Sequence, residues 1–181
     1  MTQNKIKRSL TPLQMQGDQW RVIMLEMMNS SDRATIVTAA ATLDALLAQL
    51  LRLLLIEEKC TDNLFTSGAL KTFNAKITMS YCLGLISEDE RADLETIQQL
   101  RNDFAHNWLE GSFRESPTSE ACSGLRYAQK WKDELAQAGW SDSARERFIV
   151  ALHKKSTLHC SNGFAVRCEA RLSLAACLSF L

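Results

Sequence analysis

The sequence predicts an all-α fold, a single helical bundle of about six helices, on three observations. Apolar side chains recur at spacings of three and four along most of the chain, strand-like alternation is almost absent, and only two prolines, Pro12 and Pro117, interrupt 181 residues. With 46% hydrophobic and 23% charged residues the composition is that of a soluble globular chain, which excludes wholesale disorder and a collagen-like or disulfide-dominated scaffold. The length suits one domain with an appended tail, drawn at 1–152 for the helical domain and 153–181 for a tail without clear periodicity.

A first helix is expected from about Asp18 to Asn29, where Trp20, Ile23, Met24, Met27 and Met28 make a large adaptable face that suits core or dimer filling. Ser30, Ser31 and Asp32 then supply a break and a cap, since short polar side chains accept from the exposed amides of a helix start. The longest run, Arg33 to Glu58, carries Ile36, Val37, Ala40, Leu43, Leu47, Leu50, Leu51 and Leu54 in one broad stripe. Its apolar stretch Leu43 to Ile56 is interrupted by Asp44, Gln49 and Arg52, and reads as a buried helix rather than a membrane span.

Lys59 to Ser67 reads as a polar turn. A third helix from about Gly68 presents Leu70, Phe73, Ile77 and Tyr81 and stops at Gly84, which adopts a left-handed C-terminal conformation at little cost. Ser87-Glu88-Asp89-Glu90 is the best-marked start: the serine caps, Glu90 returns the bond, and the acids sit at the positive end of the helix dipole. The fourth helix turns Leu94, Ile97, Leu100, Phe104 and Trp108 inward and ends near Gly111. After a loop from Ser112 to Ser119, Ala121, Leu125, Ala128, Trp131 and Leu135 outline a fifth helix ending at Gly139. Ser141, Asp142 and Ser143 open a sixth, with Phe148, Ile149 and Leu152 inward and a modest basic face of Arg145, Arg147, Lys154 and Lys155 expected in solvent.

The 21 basic and 21 acidic residues cancel, which argues against a dominating electrostatic grip on duplex DNA. The start MTQNKIKRSLTPLQ is basic but leads into no apolar core segment or cleavage site, so the expected setting is the cytoplasm, without a membrane. Six cysteines lack any C-x-x-C pair and read as reduced thiols. His153, His159, Cys160, Cys168 and Cys177 are zinc-binding types without the close spacing of a structural site, so neither metal nor cofactor is expected. Phosphate-binding glycine loops and nucleophile elbows are absent from the sequence.

The string Arg101-Asn102-Asp103-Phe104-Ala105-His106 carries the most chemistry. Asn102 and His106 share a helix face, where the amide could orient the imidazole, whereas Arg101 lies about 140° round from His106 and would meet it on one ligand only through the reach of the arginine, a loosened helix end, or a second copy of the helix across a dimer axis. Arginine and histidine from two copies facing each other would suit phosphodiester cleavage without a metal: the imidazole exchanges protons, and the guanidinium stabilises charge growing on the phosphoryl oxygens. The same residues equally suit a structural polar cluster, with His106 meeting the helix C-terminal dipole and Arg101 pairing with a carboxylate.

The run LFTSGALKTFNAKI (64–77), then YCLGLIS (81–87) and RNDFAH (101–106), resembles the MtlR family, the mannitol operon repressors, also written MltR. The resemblance covers about Ile36 to Phe113 well and extends weakly to Leu152, and the tail beyond departs from the family's closing helix. It implies an all-helical bacterial transcriptional regulator without an evident DNA-reading module. The R-N-x-x-x-H spacing also resembles the HEPN helical domains, many of which are dimeric, metal-independent endoribonucleases. Carried over, Arg101 would stabilise phosphate, His106 would be the acid/base and Asn102 the polar residue beside them, with RNA as substrate. The expectation taken forward is an MtlR-like regulator, homodimeric through a helix face and acting by protein contacts, with the ribonuclease as the alternative.

Overall fold

The computed structural model describes residues 17–106, 111–130, 132–133 and 143–155, and among them every regular element is a helix. There are eight: α1 (Gly17–Asn29), α2 (Asp32–Arg52), α3 (Lys59–Thr66), α4 (Phe73–Cys82), α5 (Glu88–His106), α6 (Ser116–Ser123), α7 (Arg126–Lys130) and α8 (Ala144–Lys155). The sequence expectations for Trp108, Leu135, Gly139 and the tail beyond Lys155 lie outside the described residues, as do those for the side chains of Trp20, Trp131, His153, Lys154 and Lys155.

The core is organised around α2, which packs on α4 and α5 and is flanked by α1 and α8. Ile36, Ala40, Leu43, Leu47, Leu50 and Leu51 are buried as the stripe predicts, joined by Ala39 and Leu46. By length and composition alone α2 could cross a membrane, yet half of it is buried inside the bundle, as befits a core helix. Two members of the predicted stripe are exposed: Val37 at 41%, about 100° round from Ile36 at the stripe's outer edge, and Leu54 at 49%, beyond the helix end. Most other inward positions match: Met27, Leu70, Ile77, Leu94, Ile97, Leu100, Phe104, Leu125, Ala128, Phe148, Ile149 and Leu152 are buried, and Ile23, Met24, Phe73 and Ala121 are partly buried against the core. Tyr81 and Met28 face solvent instead.

Helix starts follow local chemistry. Ser31 Oγ accepts from Ala34 N at 3.3 Å and Thr72 Oγ1 from Ala75 N at 3.2 Å, opening α2 and α4. At α5 the expected reciprocal cap forms: Glu90 N donates to Ser87 Oγ at 3.3 Å, and Ser87 N donates to Glu90 Oε2 at 2.7 Å. Gly84, at φ 67°, ends α4; its N–H reaches Tyr81 O at 2.9 Å while Leu85 N reaches Ser80 O at 2.9 Å, satisfying the last carbonyls.

Three boundaries differ from the sequence reading. Helix α2 stops at Arg52 rather than Glu58, and the segment expected as a turn, Lys59 to Ser67, is largely α3. At this junction the Arg52 guanidinium bonds Asp62 at 2.6 Å and lies over the Phe65 ring at 4.4 Å, so α3 packs back onto the end of α2. The third predicted helix starts at Phe73 rather than Gly68, because the Thr72 cap sets it. The predicted fifth helix is split, with α6 beginning inside the expected loop and α7 following Gly124. The split is held by buried Asp93 of α5, whose carboxylate accepts from Arg126 N at 2.8 Å and Tyr127 N at 3.2 Å and so caps α7 from another helix.

Arg145 corrects a fourth expectation. It is not a solvated member of a basic face: Nη1 pairs with Asp32 Oδ1, and Nη2 donates to Ser30 O at 2.6 Å, Met27 O at 2.8 Å and Thr35 Oγ1 at 3.1 Å. The carbonyls at the end of α1 have no partner within their own helix, and the guanidinium of α8 supplies one. Asp32 also accepts from Phe113 N at 3.0 Å and Ser112 Oγ at 2.9 Å, so a single ion pair ties α1, α2, α8 and the segment before α6 together.

Candidate functional site

Helix α5 carries the expected string on its last turns, anchored by Phe104, which is buried and lies against Gly111. Arg101 and His106 are exposed, and Asn102 is half-buried. Arg101 Nη1 donates to Asn102 Oδ1 at 3.0 Å, and Gln99 Nε2 donates to Asp103 Oδ1 at 2.9 Å. The hydrogen bond shown for Asn102 therefore goes to the neighbouring arginine rather than to His106, the partner its spacing suggests. Arg101 is thus engaged with Asn102, and His106, the last residue of α5, lies about 140° round a regular helix from Arg101.

Charge on the opposite end of α5 is taken up internally. Arg91 bonds Glu88 at 2.6 Å and Glu95 at 2.7 Å and lies over Tyr81 at 4.9 Å. The Arg91 guanidinium, followed by the Tyr81 hydroxyl, holds the Glu88 carboxyl below its ordinary value, and the hydrogen bond to Glu88 raises the Tyr81 phenol. Asp89 bridges Lys130 at 2.6 Å and Arg126 at 2.7 Å, and hydrogen bonding to that pair lowers its carboxyl to about 2. Across the bundle, Lys76 is buried with both Asp44 oxygens on its Nζ, at 2.7 and 2.8 Å.

Among the described residues no group of three or more His, Cys, Asp or Glu side chains is arranged to hold a metal ion. Cys60 and Cys82 are exposed free thiols, whereas Cys122 is buried and desolvation pushes its thiol up to about 12, which keeps it protonated and inert as a core side chain.

A second surface escaped the sequence reading. Where α2 unwinds, the consecutive residues Leu54, Leu55 and Ile56 stand exposed at 49%, 36% and 55% in the turn that leads to α3. The warning in the sequence is the run of four apolar residues from Leu53 to Ile56 directly before Glu57 and Glu58.

The architecture and its surfaces define an all-α bundle that presents polar and apolar contact faces. Among solved structures it is similar to a chain in the X-ray structure of the MtlR-HPr complex from Escherichia coli, with a TM-score of 0.57 at 16% sequence identity, covering 76% of this chain and 95% of that one. The likeness establishes an MtlR-like fold. No protein-family model matches the chain, and no curated protein matches it.

Proposed function

We propose that this chain is an MtlR-like regulatory protein of the bacterial cytoplasm, homodimeric, that acts through contacts with another protein rather than by reading DNA. The observation that carries the reading is the fold match spanning 95% of the MtlR chain, a protein solved in complex with HPr. A partner of the HPr kind is accordingly the first one to test. The exposed apolar corner at the end of α2 supports a contact role, because apolar groups clustered in solvent mark interaction surfaces. The ribonuclease alternative rests on Arg101, Asn102 and His106 alone and gains no further observation from the fold.

Isothermal titration of the full chain with Escherichia coli HPr tests the proposal, beside a gel-shift assay with duplex DNA at physiological salt. Saturable binding to HPr without a sequence-specific DNA shift is the expected result. A sequence-specific shift by the chain alone, with no binding to HPr, overturns it.

A further inference from the structure

The corner formed by the end of α2 and the start of α3 is built to present apolar side chains. Its backbone is fixed from within: Leu54 N and Leu55 N reach back to Leu51 O and Arg52 O at 3.1 and 3.2 Å, and Glu58 N bonds Ile56 O at 3.1 Å. From α3, Thr61 Oγ1 donates to the same Ile56 carbonyl at 2.6 Å, and the Arg52–Asp62 bridge closes the turn at 2.6 Å. Ordering this loop therefore adds little to the cost of binding, the condition under which a small apolar patch is most effective. Leu54, Leu55 and Ile56 remain partly in water although Leu50 and Leu51, immediately before the turn, are buried.

The charges around the patch select among occupants. Asp62 is engaged by Arg52, which leaves Glu57 and Glu58 exposed beside Ile56, with Lys59 offsetting one of them. An acidic rim repels an anionic lipid surface, and a twofold pairing of this corner with its own copy sets the two glutamate pairs against each other. We infer that the corner docks a protein segment whose apolar side chains are flanked by lysine or arginine, the apolar groups covering Leu54, Leu55 and Ile56 and the cations meeting Glu57 and Glu58. The inference rests on the regulatory reading above for its biological role and on this corner alone for its chemistry.

Fluorescence anisotropy with three labelled synthetic amphipathic peptides tests it: one with lysines flanking a leucine face, one with glutamates in their place, and one with the basic sequence scrambled to destroy the face. The full chain is expected to bind the basic amphipathic peptide best. Leu54→Asp and Ile56→Asp should each weaken that binding at least about tenfold, as for central contact residues, and the double variant Glu57→Lys/Glu58→Lys should shift preference toward the acidic peptide. Leu25→Asp, on the exposed side of α1, serves as a control expected to bind like the unaltered chain. Circular dichroism melts of each variant separate loss of the patch from loss of the fold.

Equal binding of all three peptides, or binding indifferent to Leu54→Asp and Ile56→Asp, overturns the inference. So does sedimentation showing that the corner is covered by a second copy, released as monomer by Leu54→Asp, or flotation with anionic vesicles that the same variant abolishes. The peptides read the patch and the HPr titration reads the role, so the two failures are distinguishable.

Discussion

Replacing Arg145 with alanine is expected to be strongly destabilising for a side chain that is partly exposed. The substitution removes the ion-pair partner of Asp32 and the donors to Ser30 O, Met27 O and Thr35 Oγ1 in one step. Breaking a fully buried pair costs about 3–5 kcal/mol. Here the side chains of Arg145 and Asp32 remain 25% and 26% exposed, so water rescues part of the loss. Asp32 also keeps Phe113 N and Ser112 Oγ. A loss of about 2–3 kcal/mol follows, equivalent to a fall in Tm of roughly 5–10 °C for a domain of this size. Arg145→Lys recovers only part of it, since an ammonium group cannot span the carboxylate and the carbonyls as the planar guanidinium does. Urea denaturation followed by circular dichroism measures the difference, with exposed Arg114→Ala as the control. A loss under about 0.5 kcal/mol, the range of ordinary surface substitutions, would refute the assignment of Arg145 as the tie between α1, α2 and α8.

Asp93→Ala leaves two amides at the start of α7 without their acceptor, and is expected to cost about 2 kcal/mol; Asp93→Asn, which keeps one acceptor oxygen, should lie between it and the unaltered chain in the same urea assay. Because Lys130 and Arg126 lower the folded-state Asp89 carboxyl from 3.8 to about 2, its stabilising effect is complete above pH 3.8 and fades as pH falls toward 2. Asp89→Asn should accordingly lower stability at neutral pH and flatten the acid limb of the stability profile, and an unchanged limb counts against the bridge. Incubated with single-stranded and structured RNA in EDTA, the purified chain is expected to leave both intact; cleavage lost in both Arg101→Ala and His106→Ala would reverse the reading in favour of the ribonuclease.

Those parts of the fold governed by neighbours in sequence were legible. The Ser87–Glu90 cap, the Gly84 stop and the inward faces of α5 and α8 follow from residues a few positions apart, where spacing and propensity carry the physics. What escaped depends on contacts across the bundle. The leucine periodicity runs through Leu54, and the contacts of Arg52 with Asp62 and Phe65 on the next helix, which hold the turn after α2, are not visible in that periodicity. In the same way the break between α6 and α7 is stabilised by Asp93 from α5, more than 30 positions upstream. The site divided likewise: Arg101, Asn102 and His106 are visible as a string and their angular separation follows from helix geometry, whereas the Arg101–Asn102 bond is seen only in the structure. The corner beyond Arg52 was hidden for the reason α2 was drawn too long.

The sequence carries no net charge, and that bears on how binding should respond to salt. Among the described residues Arg52, Lys76, Arg91, Arg126, Lys130 and Arg145 each bond a carboxylate of this chain, so these six cations are already engaged. A protein gripping six to ten phosphates loses about 10³- to 10⁵-fold in affinity between 50 and 200 mM salt, through counterion release. Docking on Leu54, Leu55 and Ile56 with two flanking glutamates involves mainly apolar burial, which salt of that concentration barely alters, and exposed charge pairs worth at most about 1 kcal/mol each. Titrating the partner at those two salt concentrations should therefore change the affinity by less than about tenfold. A thousandfold loss would mean that the binding surface is an unpaired basic face, and would refute the contact mode proposed for this bundle.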